Sequence, residues 1–141
     1  MDYSLLFKIA NYSVLPAWFL LIILPHNRIT RYLVHSYIYT IILGIIYITL
    51  IVSNWGAGEG GMGSLIEIRK AFGSDEILLA GWIHYLVFDL MIGSWQVRDA
   101  KQNGISHWMI IPALILTLFF GPAGLVLYLL LRMFKTHKLI I

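Results

Sequence analysis

Four apolar runs, each long enough to cross a bilayer, leave this chain little else to build with. They cover residues 4–24, 33–53, 77–95 and 107–131 of a 141-residue sequence. A helix needs roughly 20 residues to span the hydrocarbon core. At that depth the backbone must satisfy its own hydrogen bonds, and a single apolar run does so only as a helix. Composition agrees, with 60% apolar and 12% charged residues, against about 25% charged in a soluble domain. The predicted fold is all-α: an integral membrane bundle of four transmembrane helices, one domain over residues 1–141. Disorder is excluded, because the chain is rich in residues that collapse.

Several chemistries fall away next. The sequence has no cysteine, which removes disulfides, thiolate catalysis, cysteine-ligated zinc and iron–sulfur clusters. His26, His35, His84, His107 and His137 form no pair at i, i+3 or i+4. Membrane di-iron oxygenases need tight histidine clusters, and a zinc-protease helix needs a His-Glu pair. No glycine-rich loop opens a helix in the form that cradles phosphate. No metal or cofactor is therefore expected. The net charge is +3, but the basic residues sit at segment ends as membrane anchors. Membrane lipids are the expected partners, and nucleic acid is not.

The first run contains Lys8, Asn11 and Pro16 and has no small-residue cleavage site after it. It reads as a retained helix rather than a signal peptide, and Pro16 should kink it. The second run is uninterrupted. The fourth carries Pro112 and Gly121-Pro122-Ala123-Gly124, a stretch that lets a span bend and pack closely. An even number of spans puts both termini on one side. That side would hold Lys8, Arg69, Lys70, Arg132, Lys135 and Lys138, against Arg28, Arg31, Arg98 and Lys101 opposite, too even a division to fix orientation.

Residues 54–76 form the longest connection and open with five glycines among residues 56–63. Ser64 and Glu67 fit a capping box, and Leu65, Ile68 and Phe72 form one apolar stripe of a short helix over residues 64–72. That helix should lie on the membrane interface or on the ends of the spans, as a lid. Gly73 ends it, and Ser74 or Asp75 caps the third span.

Asp89 is the most informative residue, because an aspartate at such depth must be protonated, paired or facing a wet cavity. It can act as general acid or base, or be a structural carboxyl satisfied by a tyrosine, tryptophan or arginine. Tyr85 and Trp82 share its helical stripe. His84 lies about 140° around the helix, in line with Phe88, Met91 and Trp95; it is a second candidate, or a buried hydrogen-bonded group. Both Asp89 and His84 are predicted to point into the bundle. Glu67 either completes its cap or complements Asp89, and Arg69 either anchors the surface or stabilises negative charge. Arg98 and Asp99 read as a solvated cap.

Residues 80–90 (Ala-Gly-Trp-Ile-His-Tyr-Leu-Val-Phe-Asp-Leu), followed by Gly93, Trp95, Asp99 and Gly104-Ile105, are distinctive. Together with residues 116–125 (Leu-Thr-Leu-Phe-Phe-Gly-Pro-Ala-Gly-Leu), Tyr128 and the loop pattern Ser64-Leu65-x-Glu67-Ile68-Arg69-x-x-Phe72, they resemble the abscisic-acid-deficient-four, or neoxanthin-synthase-like, family. The resemblance covers about residues 1–132. It implies a small polytopic membrane protein of xanthophyll metabolism. In plants the family is required to form neoxanthin from violaxanthin, an isomerisation in which an epoxide opens and a carbon loses a proton to give an allene. That conversion consumes neither reductant nor oxygen. The chain begins without a plastid transit extension, so a bacterial inner membrane is the expected location.

The leading expectation is a carotenoid isomerase acting by acid–base chemistry on a polyene ligand. Asp89 comes first, His84 or Glu67 is the complementary group and Arg69 stabilises charge. Trp82, Tyr85, Phe88 and Trp55 wall an apolar slot. The rival is a non-catalytic carotenoid- or lipid-binding scaffold subunit. A small transporter, formed as a homo-oligomer, is a third reading.

Overall fold

The structure is a computed structural model that describes residues 2–54 and 60–137. Helix α1 spans Tyr3–Ile23, α2 Arg28–Thr30, α3 Ile38–Ser53, α4 Leu65–Ala71, α5 Asp75–Gln102 and α6 His107–Thr136. A π-helical turn at Arg31–His35 joins α2 to α3. Four segments are long and apolar enough to cross a membrane: α1, the stretch from Arg28 to Ser53, α5 and α6. The all-α membrane bundle expected from the apolar runs is what forms.

Helix α5 is the central element and packs against α1, α3 and α6. Its core-facing residues Leu79, Ile83, Leu86, Leu90 and Val97 recur at spacings of three, four and seven residues and are buried. Ser74 caps its start. Helix α1 runs beside α5 in the same direction, since Tyr3 and Phe7 line one groove with Asp75 and Trp82. It continues through Pro16. At its far end the free carbonyls that every helix leaves find donors from elsewhere. His107 Nε2 meets Ile22 O at 2.8 Å, Thr30 Oγ1 donates to Leu24 O at 2.6 Å, and His35 Nε2 meets Pro25 O at 3.0 Å.

The second apolar run is not one uninterrupted helix. Tyr37 takes a left-handed conformation, φ 63°, between the π-helical turn and α3. Side chains with a Cβ rarely adopt that region.

Helix α6 departs furthest from a straight span. Phe120 has non-helical φ −143° and ψ 47°, and the two halves of the helix fold back on each other there. Gly124 lies against the backbone of Thr117 and the carbonyl of Ala113 so closely that a Cβ would collide with both. In a straight helix Gly124 and Ala113 would stand about 16 Å apart. Along α5 the contacts ascend in both helices: Asp89 with Gly121, Gln96 with Gly124, Asp99 with Tyr128 and Arg132. The second half therefore runs parallel to α5, and the first half runs antiparallel to it. Residues 107–119 rise about 20 Å, the same as residues 89–102, so the tip of the hairpin stands at the level of Asp89. The helix enters and leaves at one end of α5.

This corrects the expectation that both termini share a side, which assumed a straight fourth segment. Tyr3 lies beside Asp75, whereas Arg132 lies beside Asp99 near the opposite end of α5.

Candidate functional site

Proline 122 has no N–H, and its ring would clash with the carbonyl four residues earlier in a continuous helix. Leu118 O is thereby freed. The Tyr85 hydroxyl donates to it at 3.1 Å, supplying from α5 the hydrogen bond that Pro122 cannot make. Tyr85 also neighbours the Asp89 carboxyl one turn further along α5. The Asp89 carboxyl in turn presses on Gly121, where any Cβ would collide with it. It sits at the start of the returning half-helix, where the backbone dipole favours negative charge. Asp89 is 5% exposed, and its Oδ2 has no hydrogen-bond partner. Buried polar atoms are nearly always paired, so an orphaned carboxyl oxygen marks this point.

Aromatic rings lead from there toward the N-terminal end of α5. Trp82 stands 5.3 Å from Tyr85 and 5.6 Å from Phe7 of α1, centroid to centroid. Phe7 and Trp82 wall a groove of about 390 Å³ between α1 and α5, with Tyr3, Ser4 and Asp75 supplying polar groups at its end. Asp89 lies about 10 Å of helix rise beyond Trp82 and does not line the groove. Because the α6 hairpin reaches only the level of Asp89, it leaves the aromatic half of α5 uncovered on that face.

The other expected residues fall elsewhere. His84 does not face the bundle. It is exposed, stacked on Phe88 at 4.6 Å and near Tyr47 at 5.7 Å, with no hydrogen bond to a described residue. The 140° offset from Asp89 turns it toward the α3 edge, and Phe88 follows it to the surface at 45% exposure. Glu67 Oε2 accepts from Gly63 N at 3.0 Å, while Glu67 N donates to Ser64 Oγ at 3.2 Å. The capping box thus forms with its return bond one residue earlier than the pattern implies. Arg69, in the last turn of α4, makes no hydrogen bond or ion pair with Asp89 among the described residues. Helix α4 docks through Phe72, whose ring fills the space beside Gly81. Leu65 and Ile66 are 74% and 69% exposed, the apolar surface that a membrane interface would cover. Trp55 lies outside the described residues.

Sequence reasoning missed two polar clusters between α5 and α6. Gln96, fully buried, donates from Nε2 to Thr117 Oγ1 at 3.0 Å and to Gly124 O at 3.3 Å, bonding both arms of the hairpin. Asp99 is not a solvated cap: its Oδ2 accepts from Tyr128 OH at 2.5 Å and Arg132 Nε at 2.7 Å, with both charges buried. The signal was present, because positions 85, 89, 96 and 99 fall on one helical face. Arg132 was counted instead as an anchor beyond a straight fourth span.

The sequence pattern of the ABA DEFICIENT 4-like family matches residues 5–128. The chain belongs to that family. It is 30% identical over 131 residues to the protein ABA DEFICIENT 4, chloroplastic, of Arabidopsis thaliana, covering 87% of this chain. The chain spans 58% of the length of that relative. No solved structure matches. Asp89, Tyr85 and the Gly121-Pro122 break all lie inside the stretch that defines membership of the ABA DEFICIENT 4-like family.

Proposed function

We propose that this membrane protein binds a xanthophyll-like polyene and isomerises it by acid–base chemistry, with Asp89 and Tyr85 as the reacting pair. The orphaned Oδ2 of Asp89 beside the Tyr85 hydroxyl carries the reading. It is a polar pair near the middle of α5, joined to the groove at its N-terminal end through the stacked rings of Tyr85 and Trp82. Family membership supports the carotenoid class of ligand, and the exposed apolar faces of α3 suit entry of such a ligand from the bilayer.

The reaction is proton transfer without net redox. The epoxide C–O bond breaks and its oxygen takes up one proton. A carbon of the polyene gives up another as the allene forms, so the formula is unchanged. Asp89 and Tyr85, one turn apart on α5, exchange those two protons. The aromatic rings of Trp82 and Phe7 hold the polyene end, and Tyr3 or Ser4 meets a ring hydroxyl at the groove mouth. Helix α4, whose Phe72 ring packs beside Gly81, is the proposed lid at that end of α5. His84 and Glu67 take no part in proton transfer, since one faces outward and the other caps a helix. A bacterial inner membrane is the proposed location.

The test is incubation of the purified protein with violaxanthin in detergent, with neither reductant nor oxygen, followed by chromatography for an allenic product. Asp89→Asn should retain the pigment and abolish its conversion. Retention without conversion by the unsubstituted chain would favour the non-catalytic binding reading instead.

A further inference from the structure

The end of α5 that receives the α6 hairpin also receives most of the described positive charge. Arg28, Arg31, Arg98, Lys101 and Lys135 gather there. The carboxylates Asp2, Glu67, Asp75 and Glu76 belong to the opposite end. Asp99 is the described carboxylate near the basic end, and it is spent inside the bundle on Tyr128 and Arg132. A cleft of about 160 Å³ opens on the side of α5 away from that pair, lined by Pro25, His26, Arg31, His35, Arg98 and Lys101.

Two of the cleft's walls are fixed by neutral partners, so its charge stays uncompensated. The Arg98 guanidinium bonds the Tyr37 hydroxyl and lies 5.0 Å over the Tyr37 ring, while its Nε donates to Ser94 O. The left-handed turn at Tyr37 puts that ring in place. His35 is held at both nitrogens, with Nδ1 at 2.8 Å from Ser94 Oγ and Nε2 at 3.0 Å from Pro25 O. A carbonyl faces Nε2, so the ring proton sits there and Nδ1 accepts from Ser94. Partial burial, and then the charge of Lys101, push His26 below the usual imidazole range.

We infer that this cleft binds the phosphate of an anionic lipid headgroup. Three cations converge on a concave site at the level where α1 and α5 end, which is headgroup depth, and no carboxylate lines the cleft. A rigid Arg98 presents a fork suited to phosphate oxygens, while Arg31 and Lys101 close on it from the rim. Each such cation near a bilayer surface strengthens binding of anionic lipid about fivefold.

The experiment is native mass spectrometry of the full chain, titrated separately with phosphatidylglycerol, phosphatidylcholine and inorganic phosphate. One phosphatidylglycerol should be retained well after phosphatidylcholine is lost. The double variant Arg31→Gln with Lys101→Gln should weaken that retention about 25-fold. Arg28→Gln with Lys135→Gln removes the same charge outside the cleft and should change retention less than twofold. Equal weakening by both pairs would overturn the site in favour of general surface charge. Displacement of the lipid by millimolar inorganic phosphate would overturn the lipid assignment in favour of a free anion. Equal retention of the two lipids would overturn the inference outright. Circular dichroism of both double variants confirms that the fold is kept.

Discussion

Gly124 packs directly on the backbone of Thr117, seven residues earlier in the same helix, and Gln96 of α5 bonds both. That contact closes the α6 hairpin. It places the tip at mid-bilayer, opposite Asp89, with its broken backbone buried against α5. Non-helical backbone at membrane depth is tolerated only in such a setting.

Substituting Gly124 tests the closure. Alanine normally favours a helix over glycine, but here the added carbon meets backbone atoms of Thr117 and Ala113, which cannot rotate away. Overpacking of this kind costs about 1–3 kcal/mol. Gly124→Ala should lower the thermal midpoint in detergent, whereas Gly44→Ala, which meets nothing within 4 Å, should hold or raise it. Equal midpoints for the two variants would remove the close approach.

How much of this was legible beforehand depends on what each residue had to know. The apolar runs gave the helices because bilayer physics acts on each segment alone. The Asp89 stripe through Tyr85 and Trp82 was readable because it needs only the period of one helix. The bend near Gly121-Pro122 was readable as a bend, but its angle was not. A single φ/ψ pair at Phe120 turns a bent span into a hairpin, and that pair is decided by Gln96 and Tyr85 on another helix. The same tertiary dependence hid the partners of Asp99 and turned His84 outward.

The buried ion pair should be costly to break from either side. Asp99→Ala leaves Arg132 and Tyr128 facing a void, and removing one partner of a buried pair costs about 3–5 kcal/mol. Tyr128→Phe removes one hydrogen bond to a charged group, worth roughly 2 kcal/mol. Chemical unfolding in mixed micelles measures both. The double variant should cost clearly less than the sum, since both bonds end on the same Oδ2.

Function separates from stability at the α6 tip. Asp89→Asn keeps the shape of the side chain and should lower turnover of an epoxy-xanthophyll by about 10²–10⁴-fold, the usual span for a lost general acid or base. Its melting midpoint should stay near that of the parent. Tyr85→Phe should lower both, because the hydroxyl also satisfies Leu118 O. His84→Ala should leave turnover within about twofold of the parent, as a control in the same helix. A large loss in His84→Ala, with turnover kept in Asp89→Asn, would reverse the assignment of the pair.

The hairpin also sets how the protein sits in its membrane. With α6 folded back, Arg28, Arg31, Arg98, Lys101 and Lys135 share one end, while Arg69 and Lys70 stand at the other. Short loops rich in arginine and lysine stay on the cytoplasmic side, so that end should face the cytoplasm and α4 the opposite compartment. A sequence without cysteine makes the measurement direct. Single cysteines at Met62, Gln102 and Thr136 are probed in intact cells with a membrane-impermeant maleimide. Met62→Cys should label at once, and Gln102→Cys and Thr136→Cys only after permeabilisation. The pairing of the last two is the decisive outcome. A straight fourth span would put Thr136→Cys with Met62→Cys, whereas the contact of Gly124 with Thr117 requires it to follow Gln102→Cys.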